Sequence, residues 1–155
     1  MGAAYSLLRQ PPIRGAGKPP ASGVTYLLDT SVLIDTLNNR NGRPQFLTEF
    51  SRQEILLACC AVNVSEVYMG MRPSEEAKTE KLLRSLEFYP VTWGVAQLAG
   101  DLFREWRPKG QTLSYADVTI AAAAIFNKLV LVTDNQKHFP MPELQVVDLP
   151  DLPQA

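Results

Sequence analysis

The sequence predicts an α/β fold: a three-layer α/β/α sandwich with a mostly parallel central sheet. Short apolar runs of strand length alternate along the chain with longer segments of helical periodicity. Strands and helices in that alternation form parallel sheets covered on both faces, linked by right-handed crossovers. Acidic residues also recur where strand runs end or helices begin, the edge at which such sheets bind ligands.

Residues 1-23, MGAAYSLLRQPPIRGAGKPPASG, hold four prolines and four glycines with little periodic apolar content, and are expected to form a disordered leader. From residue 24 onward a single domain is expected. Strand-like runs lie at 24-28 (VTYLL), 55-61 (ILLACCA), 88-91 (FYPV), 129-132 (LVLV) and, more weakly, 145-148 (QVVD). Helical patterns fill 31-38, 44-52, 63-71, 74-87, 92-106 and 114-127. There is no internal repeat or heptad array.

Composition narrows the function classes. The chain has 155 residues, 46% hydrophobic and 20% charged, which suits one compact domain with its own core. No run of 18 or more apolar residues suggests a membrane span, and the start lacks a signal-peptide layout, so a cytoplasmic location is the default expectation. The adjacent Cys59 and Cys60 should point to opposite faces of a strand as buried thiols. A net charge of −1 gives no bulk argument for binding a polyanion, so any nucleic-acid role must come from a local site. His138 is the only histidine, which excludes a Ser/His triad elsewhere and a His-rich zinc site. It reads most simply as a surface histidine before Phe139. Tyr68, Met69, Met71, Trp93 and Trp106 read as core or a subunit interface.

Four acids share the predicted ligand-binding edge. Asp29 ends the first strand in YLLDTSVLID; Glu66 lies at the start of a helix in AVNVSEVYMGMR; Asp117 opens the Ala-rich helix in LSYADVTIAAAA; Asp134 follows the last strong strand in LVLVTDNQKHF. Bland explanations exist. Asn63-x-x-Glu66 and Ser114-x-x-Asp117 have capping-box spacing, Asp134 and Asn135 are turn formers, and Asp35 reads as solvated. Asp29 resists such a reading. A carboxylate between a buried strand and the hydroxyls of Thr30 and Ser31 carries a large desolvation penalty unless something compensates it. No Lys or Arg lies in the motif, and the other residues expected there are acids that would repel it. A divalent cation resolves the conflict, and an all-oxygen site suits Mg²⁺ or Mn²⁺ rather than zinc.

In this order and separation, LLDTSVLID, VSEVYMG, YADVTIAAAA and LVTDNQKHF resemble the PIN-domain ribonucleases, especially the VapC-like toxins of bacterial toxin–antitoxin pairs. The resemblance runs from about residue 24 to 149. It implies a Mg²⁺- or Mn²⁺-dependent endoribonuclease acting on RNA, frequent homodimerisation and inhibition by a small antitoxin protein. Residue by residue, Asp29, Glu66 and Asp117 match the family's first three acids. The fourth motif departs from the family pattern: Thr133 and Asn135 align, Asp134 occupies a variable slot, and His138 stands where an acid is common. Asp134 or Asn135 is therefore expected to complete the site, and Thr30 or Ser31 supplies the hydroxyl often found after the first acid. On this reading Asp29 and Asp117 ligate the ion, Glu66 ligates it or orients the attacking water, and Arg72, Lys137 and Lys128 are candidates for phosphate contact.

Two other readings compete. An aspartyl phosphatase or phosphotransferase would want a second Asp two residues after the first, where this chain has Ser31. A PIN-like domain kept for RNA binding or assembly, with weak or no catalysis, is consistent with the altered fourth motif.

Overall fold

The computed structural model describes residues 23–148. The expected leader at 1-23 falls, apart from Gly23, outside the described residues. Five strands form one sheet: β1 (Thr25–Leu28), β2 (Leu56–Cys60), β3 (Glu87–Tyr89), β4 (Val130–Val132) and β5 (Val146–Val147). They lie in the order β3-β2-β1-β4-β5, and every neighbouring pair is parallel. The chain lays strands outward on one side of β1, then crosses over to build β4 and β5 on the other. The carboxyl ends of β1 and β4 thus flank the point where the winding direction reverses, the crevice in which open parallel sheets bind ligands.

Among the described residues, six α-helices cover the sheet: α1 (Thr30–Leu37), α2 (Arg43–Arg52), α3 (Ala61–Gly70), α4 (Glu76–Arg84), α5 (Trp93–Trp106) and α6 (Tyr115–Phe126). The period-two alternation of the strands decides which residues meet which layer. Leu28, Leu57, Cys59 and Val132 face one way, packing with Val32, Leu33, Leu47, Phe50, Val67 and Leu83 from α1 to α4. Leu27, Ala58, Cys60 and Leu131 face the other way, onto Val95, Ala99 and Leu102 of α5 and the alanines of α6. Cys59 and Cys60 are accordingly buried free thiols on opposite faces. Burial pushes the Cys59 thiol up to about 12.

Local chemistry sets the helix boundaries. The Thr92 hydroxyl accepts the Val95 N–H at 3.3 Å to start α5, and the Ser114 hydroxyl accepts the Asp117 N–H at 3.0 Å to start α6. Proline shortens two expected elements. The helix expected from residue 74 begins as a 3-10 turn, Pro73–Glu75, and becomes α-helical at Glu76. The strand expected to run through Pro90 ends at Tyr89, because proline has no N–H to give a ladder. Helix α6 is apolar on nearly every side, with Val118 to Ala124 all buried. Among the described residues, no helix is long and apolar enough to cross a membrane.

Candidate active site

Asp29 directly follows β1, and its own N–H extends the sheet ladder by donating to the Val132 carbonyl at 2.9 Å. That bond seats the residue between the ends of the two central strands, with 7% of its surface exposed. Its carboxylate accepts the Thr30 N–H at 2.8 Å and the Thr133 hydroxyl, fully buried at the end of β4, at 2.7 Å. Burial raises its pKa above the ordinary aspartate value. The Thr133 and Thr30 hydrogen bonds pull the other way, the Asp117 charge adds to the rise, and His138 opposes it. Neutral donors surround the charge without cancelling it.

Glu66 projects from α3, where its Oε1 accepts the Thr30 hydroxyl at 2.7 Å. Thr30 Oγ1 in turn accepts a hydrogen bond from the Asn63 amide at 3.0 Å, and Asn63 Oδ1 accepts the Cys60 N–H at 2.9 Å. Asn63 is wholly buried. The capping box expected between Asn63 and Glu66 is absent: the box joins Cys60 and Asn63, and Glu66 lies one turn further into the helix than the spacing suggested. The misplacement has a physical cause. A cysteine N-cap lies outside the usual Ser, Thr, Asp and Asn set, so the sequence hides the true first residue of α3. Glu66 is therefore free of any capping duty.

Asp117 is in the first turn of α6, as expected, with its N–H held by Ser114. Its carboxylate lies 3.5 Å from Nδ1 of His138, in the 3-10 turn Gln136–His138. His138 is exposed as expected, and it borders the site, at the position in the fourth motif where the family commonly has an acid. Asn135 donates its N–H to the Thr133 hydroxyl at 3.0 Å. Ser31 Oγ is buried without a hydrogen-bond partner, so Thr30 rather than Ser31 carries the hydroxyl bonded to a site acid.

Asp134 sits elsewhere in the electrostatics. Both of its oxygens accept hydrogen bonds from Nη2 of Arg43, at 2.8 and 2.7 Å. Of the candidate phosphate contacts, Lys137 shares the His138 turn, and Arg72 precedes Pro73 beyond the end of α3. Lys128 lies before β4, at the amino edge of the sheet, and so on the wrong side for the site.

The donor set fits a hard divalent cation in chemistry: carboxylates and hydroxyls, with no lysine or arginine paired to Asp29, Glu66 or Asp117 among the described residues. No group of three or more His, Cys, Asp or Glu residues is spaced to hold an ion, also among the described residues. Asp29 and Asp117 are close enough for one charge to act on the other, whereas Thr30 engages Glu66 and Arg43 engages Asp134.

Comparison with known proteins shows the family. The PIN domain family model matches residues 26–142. Ribonuclease VapC10 of Mycobacterium tuberculosis is 35% identical over 115 residues, covering 74% of this chain and 86% of that protein. Ribonuclease VapC19 of the same organism is 32% identical over 120 residues, covering 77% and 96%. In fold, the chain is similar to the crystal structure of VapBC2 from Rickettsia felis bound to a DNA fragment from their promoter, with a TM-score of 0.72 and 23% identity over 81% of this chain and 98% of that one. With most of its described residues matched and relatives of this similarity, the chain belongs to the PIN domain family, alongside the VapC ribonucleases.

Proposed function

We propose that the chain is a Mg²⁺- or Mn²⁺-dependent endoribonuclease that hydrolyses RNA phosphodiester bonds, and that it is the toxin of a toxin–antitoxin pair. The observation that carries this reading is the buried Asp29 carboxylate, raised in pKa, within electrostatic reach of Asp117 and, among the described residues, paired with no lysine or arginine. Such an arrangement is unfavourable alone and becomes favourable once a divalent ion is shared. The VapC relatives are ribonucleases by name, and the Rickettsia felis relative is a VapBC assembly, which supports the reading of RNA as substrate and a small antitoxin as partner.

In this scheme Asp29 and Asp117 hold the ion. When bound, the ion neutralises charge developing on the phosphate and leaving oxygen. Thr133 fixes the Asp29 carboxylate. Glu66 takes the proton of the attacking water: the Thr30 hydroxyl holds Oε1 and leaves Oε2 available to that water. Asn135 or Asp134 completes the fourth position, and Lys137, in the same turn as His138, is the candidate for phosphate contact. A cytoplasmic homodimer remains part of the proposal.

The purified full chain should cut RNA in Mg²⁺ or Mn²⁺ and arrest growth when expressed in a bacterial host. Asp117→Asn should stay folded and do neither. A folded wild type that leaves RNA intact with either ion overturns the reading. The alternative is then a catalytically weak PIN-like domain serving as an RNA-binding or assembly module. That alternative is favoured by the absence of a three-residue metal grouping among the described residues, and retained RNA binding in a gel-shift assay would support it.

A further inference from the structure

We propose that Arg43 is a positioning residue of the candidate active site: by clamping Asp134 it fixes the turn after β4, so that Asn135, and not Asp134, serves as the fourth site residue. The proposal rests on the ribonuclease reading, and it resolves which residue of the altered fourth motif takes part.

Every other Lys or Arg ion pair among the described residues joins partners three or four apart within one segment. The Arg43–Asp134 pair spans 91 residues and joins the start of α2 to the turn that leaves β4. The chain invests in bringing Arg43 there. Asn39, Asn41 and Gly42 all adopt left-handed conformations, with φ of 53°, 53° and 66°, so the α1–α2 connection turns sharply. The Asn41 amide anchors that connection by donating to Asp35 on α1 at 2.9 Å. Arg43 follows immediately, its side chain only 12% exposed, and Nη1 donates to the Asn41 carbonyl at 3.4 Å. Its Nε is buried without a partner. The Asp134 carboxylate is thus the main group that orients the guanidinium.

What the clamp holds is the site. Asp134 lies between Thr133, whose hydroxyl donates to Asp29, and Asn135, whose N–H donates to that same hydroxyl. A shift of the turn would move both bonds. The pairing also neutralises Asp134 and occupies both its oxygens, and the acidic charge acting on Asp29 is that of Asp117. A carboxylate whose two oxygens both accept from one nitrogen of a poorly solvated arginine cannot leave it without cost for an ion, because the arginine would be stranded. The neutral amide of Asn135 has no such rival.

The test compares Arg43→Gln, Arg43→Lys, Asp134→Asn and the charge exchange R43D/D134R with the wild type, each first shown to be folded by circular dichroism. Two readouts are used: amide hydrogen exchange at Asn135 without metal, and the Mn²⁺ concentration giving half of the ion-induced rise in melting temperature. The clamp predicts faster Asn135 exchange and a Mn²⁺ midpoint raised about tenfold in both Arg43→Gln and Asp134→Asn. It predicts no further loss when the two are combined, an intermediate effect for Arg43→Lys, and recovery in the charge exchange. If Asp134 is itself a ligand, Arg43→Gln frees it and lowers the midpoint while Asp134→Asn raises it. Opposite signs, or an Arg43→Gln variant unchanged in both readouts, overturn the proposal. A wild type that neither binds Mn²⁺ nor cuts RNA defeats the ribonuclease reading instead, and the exchange comparison still decides whether Arg43 holds the turn.

Discussion

The floor and the rim of the crevice treat their acids differently. On the floor, Asp29 and Glu66 are held by Thr133, Thr30 and, through Thr30, by Asn63. All of these are neutral donors. At the rim, Asp134 meets a guanidinium and Asp117 faces an imidazole. Hydroxyls and amides fix the direction of a carboxylate while leaving its charge unspent; an arginine fixes direction and cancels charge together. The floor therefore has charge to offer a ligand, and the Asp134 corner does not.

The largest effect expected from this contrast is on ion binding. A hundredfold excess of Mn²⁺ over its dissociation constant should stabilise the wild type by about 2.7 kcal/mol, about 8 °C in melting temperature for a domain of this size. Asp29→Asn should abolish most of that rise. An equal rise in both proteins would break the distinction between floor and rim.

Next in size is the floor's internal support. Asn63→Ala strands the buried Cys60 N–H and removes the donor to Thr30, and should cost about 2–3 kcal/mol in urea unfolding. A loss below about 0.5 kcal/mol would mean that Asn63 is a bystander.

A smaller effect, with a definite sign, comes from the penalty on Asp29 without metal. Its folded pKa is raised, so its ionisation destabilises the fold. That penalty sets in as pH rises through the unfolded value and is complete above the folded one. Metal-free Asp29→Asn should therefore melt above the wild type at neutral pH, with the gap closing as pH falls below the ordinary aspartate range. A gap that widens toward acid would reverse the assignment. The smallest effect is expected at the rim: His138→Asn removes an exposed partner of Asp117 and should change stability by less than about 0.5 kcal/mol, measured by thermal melting.

The layers of the fold were readable because a parallel sheet buried on both faces needs unbroken apolar strands, and LVLV and ILLACCA are such runs. Asp29 was readable for the complementary reason, a charge set where the strand pattern demands burial. The start of α3 was not, since a cysteine cap is atypical and Asn63 was assigned to the wrong box. The Arg43–Asp134 pair left no local trace at all. Nothing near Arg43 in sequence marks it as anything but a helix-start cation, and only the tertiary fold brings it to residue 134. The fourth motif put His138 near the site, but its partner there, Asp117, came only from the tertiary fold.

The hydrogen bond from Thr133 to Asp29 joins residues 104 apart, so β4, the strand that seats Asp29, is made well after it. At about 5–20 residues per second of synthesis, roughly 5 to 20 s separate the emergence of Asp29 from that of its partner. During that interval the nascent chain has its first acid but no Thr133 to orient it and no Arg43–Asp134 contact to hold the turn beside it. On the proposed reading, a growing polypeptide of this kind stays harmless to the RNA machine that is making it until Thr133 and the turn after β4 have emerged.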